Sequence, residues 1–232
     1  MHNFLSLILP IHPEGYRFIL IFAVATVALF FVSTFLGWLG VIGIVFCAYF
    51  FRDPLRYVPN QEGLVVSPAD GVVNMITEAV PPQELELGEI PMTRISIFLN
   101  VFNCHINRVP HTAKIKKSLY RSGKFLSADL EKASDQNERQ SLLLELPDGK
   151  EMVVVQIAGL VARRILCWVE EGESLKTGER FGLIRFGSRV DIYLPDGIAP
   201  KVAVGQQVLG GETIMADLAD TDNQIQRVAD PI

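Results

Sequence analysis

The stretch "RFGSRVDIYLP", residues 185–195, sets a glycine and a serine inside what otherwise reads as a β-strand. Taken with period two from Leu183 to Leu194, Ile184, Phe186, Ser188, Val190, Ile192 and Leu194 share one face, and Arg185, Arg189 and Asp191 share the other. A hydroxyl among oily side chains costs about 1–3 kcal/mol unless it is hydrogen-bonded. Glycine in a strand marks a bulge or a close approach. The plain structural reading is therefore a bulge with a satisfied serine.

Two other segments carry reactive types. "SPADGVV" puts Asp70 ahead of Gly71 in a turn, where aspartate ordinarily bonds its own backbone. "VFNCHINRVPH" holds His105, Arg108 and His111, and histidine is the side chain most easily tuned to exchange protons near neutral pH. No metal site is expected, because neither histidine has a nearby cysteine or carboxylate cluster to complete a coordination set. Arg108, Arg163, Arg164, Arg185 and Arg189 offer guanidinium forks that match a phosphate or carboxylate, with Arg108 the chosen candidate.

The elements that must position these groups follow from composition. From Phe18 to Phe51 there is no charged residue in 34 positions, more than the roughly 20 needed to cross a bilayer. The run is too long for a signal-peptide core and continues into Arg52 and Arg56, so it reads as a retained anchor. Gly37, Gly40 and Gly43 leave open one tilted helix or a hairpin returning to the same side. The flanking arginines put the soluble part on the cytoplasmic face of the cell (inner) membrane. The three cysteines form no CxxC, which fits a reducing compartment, and the net charge of −5 argues against nucleic acid as a partner.

Beyond a linker, "FRDPLRYVPNQEG", the chain is a succession of short Val-, Ile- and Phe-rich runs broken by Gly, Pro, Asp and Asn. The one helix expected is Ser127 to Arg139. The division is an anchor and linker, 1–56, and a mainly β domain, 57–232, of sandwich or barrel-like form. An internal repeat aligns "VEEGESLKTGERFGLI", from Val169, with "VAVGQQVLGGETIMAD", from Val202, so that Gly172 matches Gly205 and Gly178 matches Gly211. This strand-and-turn order is similar to that of biotinyl and lipoyl carrier domains, although no lysine stands at the tip those domains modify.

The order of motifs, an oily anchor ending "FFRDPLR", then "SPADG", "NCHINRVP", "QIAGLVARRI" and "FGSRVDIYLP", resembles the short-form phosphatidylserine decarboxylase proenzymes across nearly the whole chain. The resemblance implies self-cleavage between Gly187 and Ser188, a β chain of 1–187 and an α chain of 188–232. It further implies conversion of Ser188 to a pyruvoyl group that forms a Schiff base with the amine of phosphatidylserine, with no external cofactor. Asp70 then supports self-cleavage by organising or supplying the base, and His105 transfers a proton in decarboxylation. Long-form members have a second histidine where this chain has Arg108. Either Asp70 acts more directly on Ser188, the preferred reading, or His105 or His111 takes both roles. The implied partners are phosphatidylserine in the membrane and the two chains of one precursor, with a homo-oligomer left open. The rivals are an archaetidylserine-type decarboxylase and a non-enzymatic, membrane-tethered carrier-like adaptor.

Overall fold

The structure is a computed structural model that describes residues 10–123, 136–159, 164–185 and 188–220. The chain forms two compact units, Met1–Leu55 and Arg56–Ile232.

In the first unit the apolar run is two helices, α1 (Pro13–Val32) and α2 (Thr34–Phe50), separated by Ser33 in an extended conformation. Of the two arrangements the glycines leave open, the chain adopts the hairpin: His12 N–H donates to the Phe51 carbonyl at 2.8 Å, and Asp53 N–H to that of Pro10. The glycines make the close packing possible, since a side chain at Gly37 would collide with Phe30 and one at Gly40 with Thr26. Large apolar side chains such as Leu20, Phe31 and Trp38 stay exposed. Helix α1 is long and apolar enough to cross a membrane.

The second unit is built almost wholly of antiparallel strands. Its principal sheet contains β2 (Gly71–Ala79), β3 (Met92–Leu99), β5 (Ala113–Arg121), β6 (Arg139–Glu145), β7 (Glu151–Ala158), β9 (Ser174–Leu175), β11 (Ser188–Tyr193) and β12 (Gln207–Val208), in the order β12-β2-β3-β11-β7-β6-β5-β9. A three-stranded sheet, β4 (Ile106–Arg108), β10 (Arg180–Ile184) and β8 (Ile165–Cys167), has the order β4-β10-β8. The pair β1 (Leu64–Val66) and β13 (Ile214–Asp217) completes it. Period two sorts the principal sheet's side chains. Ile95, Ile97, Leu99, Val154, Val190 and Ile192 enter the main core with Phe181, Ile184 and Met215 of the smaller sheets. Leu143, Val153, Val155, Ile157 and Tyr193 form a second core on the opposite face, under Leu85.

The mainly β expectation holds, with corrections. Leu183 to Leu194 is not one strand: β10 ends at Ile184 in the small sheet and β11 begins at Ser188 in the principal one. The Gly-Ser bond thus lies where the chain passes between sheets, and Phe186 and Gly187 lie outside the described residues. The helix expected over Ser127–Arg139 falls mostly outside them too, and its last residue, Arg139, opens β6.

A 3-10 turn at Gln83–Leu85 caps the second core. Arg139 Nε and Nη2 each donate to Glu84 at 2.7 Å, and Ser141 Oγ donates at 2.9 Å. Burial opposes ionisation of Glu84, but the Arg139 and Ser141 bonds outweigh it and hold the carboxyl below its ordinary value. A depressed carboxyl contributes stability above its unfolded value and loses it as pH falls through the folded one. Glu84→Gln is accordingly expected to cost about 1–3 kcal/mol near neutral pH. The difference in melting temperature from the parent should begin to narrow as pH falls below about 4.3, the ordinary glutamate value, and close only as pH passes the lower folded-state value; a gap that stays constant through that range would remove the ionised pair as its cause.

The internal repeat is real in the backbone and reaches beyond the segments that show it in sequence. Gly172 and Gly205 have φ of 88° and 90°, and Gly178 and Gly211 of 81° and 82°. The first copy pairs with the β4–β5 segment and the second with β1–β2 through matching bonds. Ile115 N–H donates to Glu173 and Val73 N–H to Gln206, while Gly178 N–H donates to Val109 and Gly211 N–H to Ser67. The halves lock reciprocally, Val66 N–H to the Pro110 carbonyl and Arg108 N–H to that of Pro68, both 2.8 Å.

Candidate active site

One end of the principal sheet collects the reactive residues. There β3 ends at Leu99, β7 ends at Ala158, and β11 begins at Ser188 between them. On the outer side of β3, Val72 pairs with Phe98, so the turn preceding it brings Asp70 and Gly71 level with Ser188 two strands away, about 10 Å at ordinary strand spacing. Gly71 is needed because a Cβ there would run into the Phe98 carbonyl. The Ser188 side chain belongs to the main-core face and is fully buried, and its Oγ has no hydrogen-bond partner among the described residues. The satisfied serine of the plain reading is not what these residues show.

Asp70 is buried in a compact anchorage. Arg56 Nη2 donates to Oδ1 at 2.9 Å and Oδ2 at 2.6 Å, and Gly210 N–H donates to Oδ1 at 2.8 Å. Gly210 follows β12, the strand on the far side of β2 from β3, so these bonds draw the carboxylate away from Ser188. The repeat shows what is particular here. The matching turn in the other half carries Thr112, and Thr177 N–H donates to its Oγ1 at 3.2 Å in place of the Gly210–Asp70 bond.

His105 is fully buried just before β4, and its carbonyl accepts from Ile184 N–H on the approach to Ser188. With the proton on Nδ1, the ring donates to the Asn103 carbonyl at 3.0 Å, which makes Nε2 the basic nitrogen. His111 is elsewhere. It lines a cavity of about 880 Å³ with Pro147 and Asp148, at the turn that begins β7, eight strand residues and about 25 Å from Ala158. The structure does not bring it to Ser188.

Arg108 is buried, donates from Nη1 to the Gly178 carbonyl at 2.9 Å, and lies with Arg56 against Gly211. Arg189 is on the face opposite Ser188, fully buried and bound to Asp191 at 2.8 Å. It is neither a solvated surface arginine nor placed to hold substrate. Arg164 and Arg185 are joined by a backbone bond of 3.2 Å at the site end, and Arg163 lies outside the described residues. Sequence reasoning used Arg56 only as a flanking charge. Its partner is 14 residues on, and no local pattern announces the pair.

No group of three or more His, Cys, Asp or Glu able to hold a metal occurs among the described residues. Residues 44–216 match the family model described as phosphatidylserine decarboxylase. The chain is 57% identical over 217 residues to a phosphatidylserine decarboxylase proenzyme of Cereibacter sphaeroides, covering 94% of both chains. It is 57% identical to that of Ruegeria pomeroyi over 90% of this chain and 95% of the relative, and 53% identical to that of Nitrobacter winogradskyi over 94% and 88%. By both the family match and these whole-length relatives, the chain belongs to the phosphatidylserine decarboxylase family.

Proposed function

We propose that this chain is a proenzyme that cuts itself between Gly187 and Ser188 and then decarboxylates phosphatidylserine to phosphatidylethanolamine. The observation that carries the reading is Ser188 itself: a buried hydroxyl without a partner among the described residues, at the sheet end where the Asp70 turn arrives, with His105 bonded through its carbonyl to Ile184, four residues earlier in the chain. Such a hydroxyl supports a reactive serine over a structural one.

In the cut, Ser188 Oγ bonds to the Gly187 carbonyl carbon, the bond from that carbon to the Ser188 nitrogen breaks, and the hydroxyl proton passes through His105 to that nitrogen. Loss of the Ser188 α-proton then expels the Gly187 carboxylate, and hydrolysis releases ammonia. The resulting pyruvoyl group supplies a carbonyl that engages the substrate amine and takes up the electrons left when carbon dioxide departs. His105 serves both proton transfers, since His111 is at the far end and Asp70 is held by Arg56 and Gly210. Asp70 organises the turn beside the site. This departs from the preference drawn from sequence, and the reason is the direction in which the Asp70 carboxylate is bonded. For an anionic headgroup this reading prefers Arg164 and Arg185, whose backbones are bonded close before Ser188, to the Arg108 chosen from sequence.

The apolar hairpin supports anchoring of 1–56 in the cytoplasmic membrane, with both of its ends on one side, so that a domain tethered to it meets a lipid headgroup without extracting the lipid. The paired repeats support a biotinyl/lipoyl-like architecture for the 57–232 domain. Intact-mass measurement of the protein in detergent tests the reading. It predicts a 188–232 chain lighter than the serine-ended peptide by one ammonia, beside a 1–187 chain; an uncut 232-residue chain would refute it.

A further inference from the structure

Two amides between the sheets have no role in the chemistry given above to Ser188, Asp70 and His105. Gln156 interrupts the apolar run of β7 and points into the main core, and Asn107 faces it from β4. Gln156 Nε2 donates to Asn107 Oδ1 at 2.7 Å, and both residues are fully buried. The small sheet is cleared for them, because a Cβ at Gly182 would lie 2.7 Å from Gln156 Nε2. Beyond their mutual bond, Asn107 Nδ2 and Gln156 Oε1 have no partner among the described residues. Each such buried, unpartnered group costs stability, so an apolar pair of the same volume would serve the fold better.

Their location gives the amides a purpose. Gln156 pairs directly with Val190 and Ala158 with Ser188, so Gln156 is the diagonal neighbour of Ser188 on the same face, about 7 Å away and within reach of a long side chain. Asn107, bonded to Gln156, is two residues from His105. This corner of the core therefore holds a spare amide donor, Asn107 Nδ2, and a serine oxygen in need of one.

We infer that Asn107, held by Gln156, is the hydrogen-bond donor to Ser188 Oγ during self-cleavage; this rests on the reading of Ser188 as the nucleophile. Oγ gains negative charge twice. It does so first as its proton leaves for His105 and it attacks the Gly187 carbonyl carbon. In the elimination, the Ser188 α-proton goes to a base, the Cα–Cβ double bond forms, the Cβ–Oγ bond breaks, and the electron pair stays on Oγ as part of the Gly187 carboxylate. A donor fixed on that one oxygen assists both steps and leaves the hydroxyl proton free for the histidine.

The test follows the full chain made by cell-free translation in the presence of detergent, reading the 1–187 and 188–232 chains by mass over time. Asn107→Leu is expected to slow appearance of the ammonia-deficient 188–232 chain about a hundredfold. Asn107→Ser, which keeps a donor, should mature faster than Asn107→Leu, although leucine suits a buried layer better. A purely structural role reverses that order, and the reversed order, or wild-type maturation of Asn107→Leu, overturns the inference. Ser188→Ala run in parallel separates the two readings. If the parent fails to cut or Ser188→Ala still cuts, the nucleophile assignment fails; if the parent cuts and Ser188→Ala does not, the order of the Asn107 variants alone decides the donor.

Discussion

Arg56→Ala and Asp70→Asn are each expected to slow self-cleavage by about a hundredfold, the penalty for moving catalytic groups out of register by about an ångström, and the double variant is expected to be no slower than either. The two side chains are each 9% exposed, so removing Arg56 strands the Asp70 charge out of water, at a cost of about 3–5 kcal/mol, and removing Asp70 leaves Arg56 only the longer contact of 4.0 Å with Glu212. The stranded group must then turn towards solvent and take the 67–71 turn with it. That turn enters β2 beside the strand that flanks Ser188, which is how a change at Arg56 reaches the cut. The internal repeat supplies the control. Its other half closes the same turn with Thr112 and Thr177 and no carboxylate, so the charge pair is not a requirement of the turn itself. Following chain separation by mass, with melting temperature as a check on folding, decides the matter. Additive effects in the double variant would mean that the two residues act separately.

The pieces of this site that sequence made legible are those whose signal is local. Asp70 stands out in "SPADG" because a turn forces its composition, His105 because a histidine in an apolar run is conspicuous, and the anchor because 34 uncharged positions have few other uses. The strand content was equally plain, since β-branched runs between turn residues carry it. The hairpin was not, because helices packed through Gly37 and Gly40 and one continuous helix read alike until Ser33 is seen to break the run.

What stayed hidden is whatever depends on two distant segments. The period-two pattern of Leu183–Leu194 runs unbroken through a change of sheet because β10 and β11 send their oily faces into the same core from opposite layers, so periodicity cannot register the crossing. Arg189 and Asp191 look like an outward face, but the principal sheet is covered on both sides and the two form an ion pair inside it. Gln156 passes for noise in "VVVQIA" until Asn107 is found opposite. The repeat was legible only between its two later segments. Their partners read "SPADG" and "VPHTA" and share little beyond the proline: one turn is closed by Thr112 and Thr177, the other by Asp70 with Arg56 and Gly210.

His105→Gln is expected to stop both reactions. The precursor should separate into two chains at a rate lower by about two to four orders of magnitude, the usual worth of a positioned acid–base group, and release of carbon dioxide from phosphatidylserine should fall at least as far. Glutamine fills much of the same space and can still bond the Asn103 carbonyl, so the ring's position is imitated while its capacity to take up and return a proton is lost. Burial of the whole residue keeps bulk water from replacing it. The competing assignment gives self-cleavage to Asp70 and reserves His105 for decarboxylation. It predicts a His105→Gln protein that separates normally into 1–187 and 188–232 and then fails only to release carbon dioxide. The two are distinguished by one mass spectrum of the variant. An ammonia-deficient 188–232 chain formed at the parent rate would return the base of self-cleavage to Asp70, and would require its carboxylate to leave Arg56 and Gly210 before it could act.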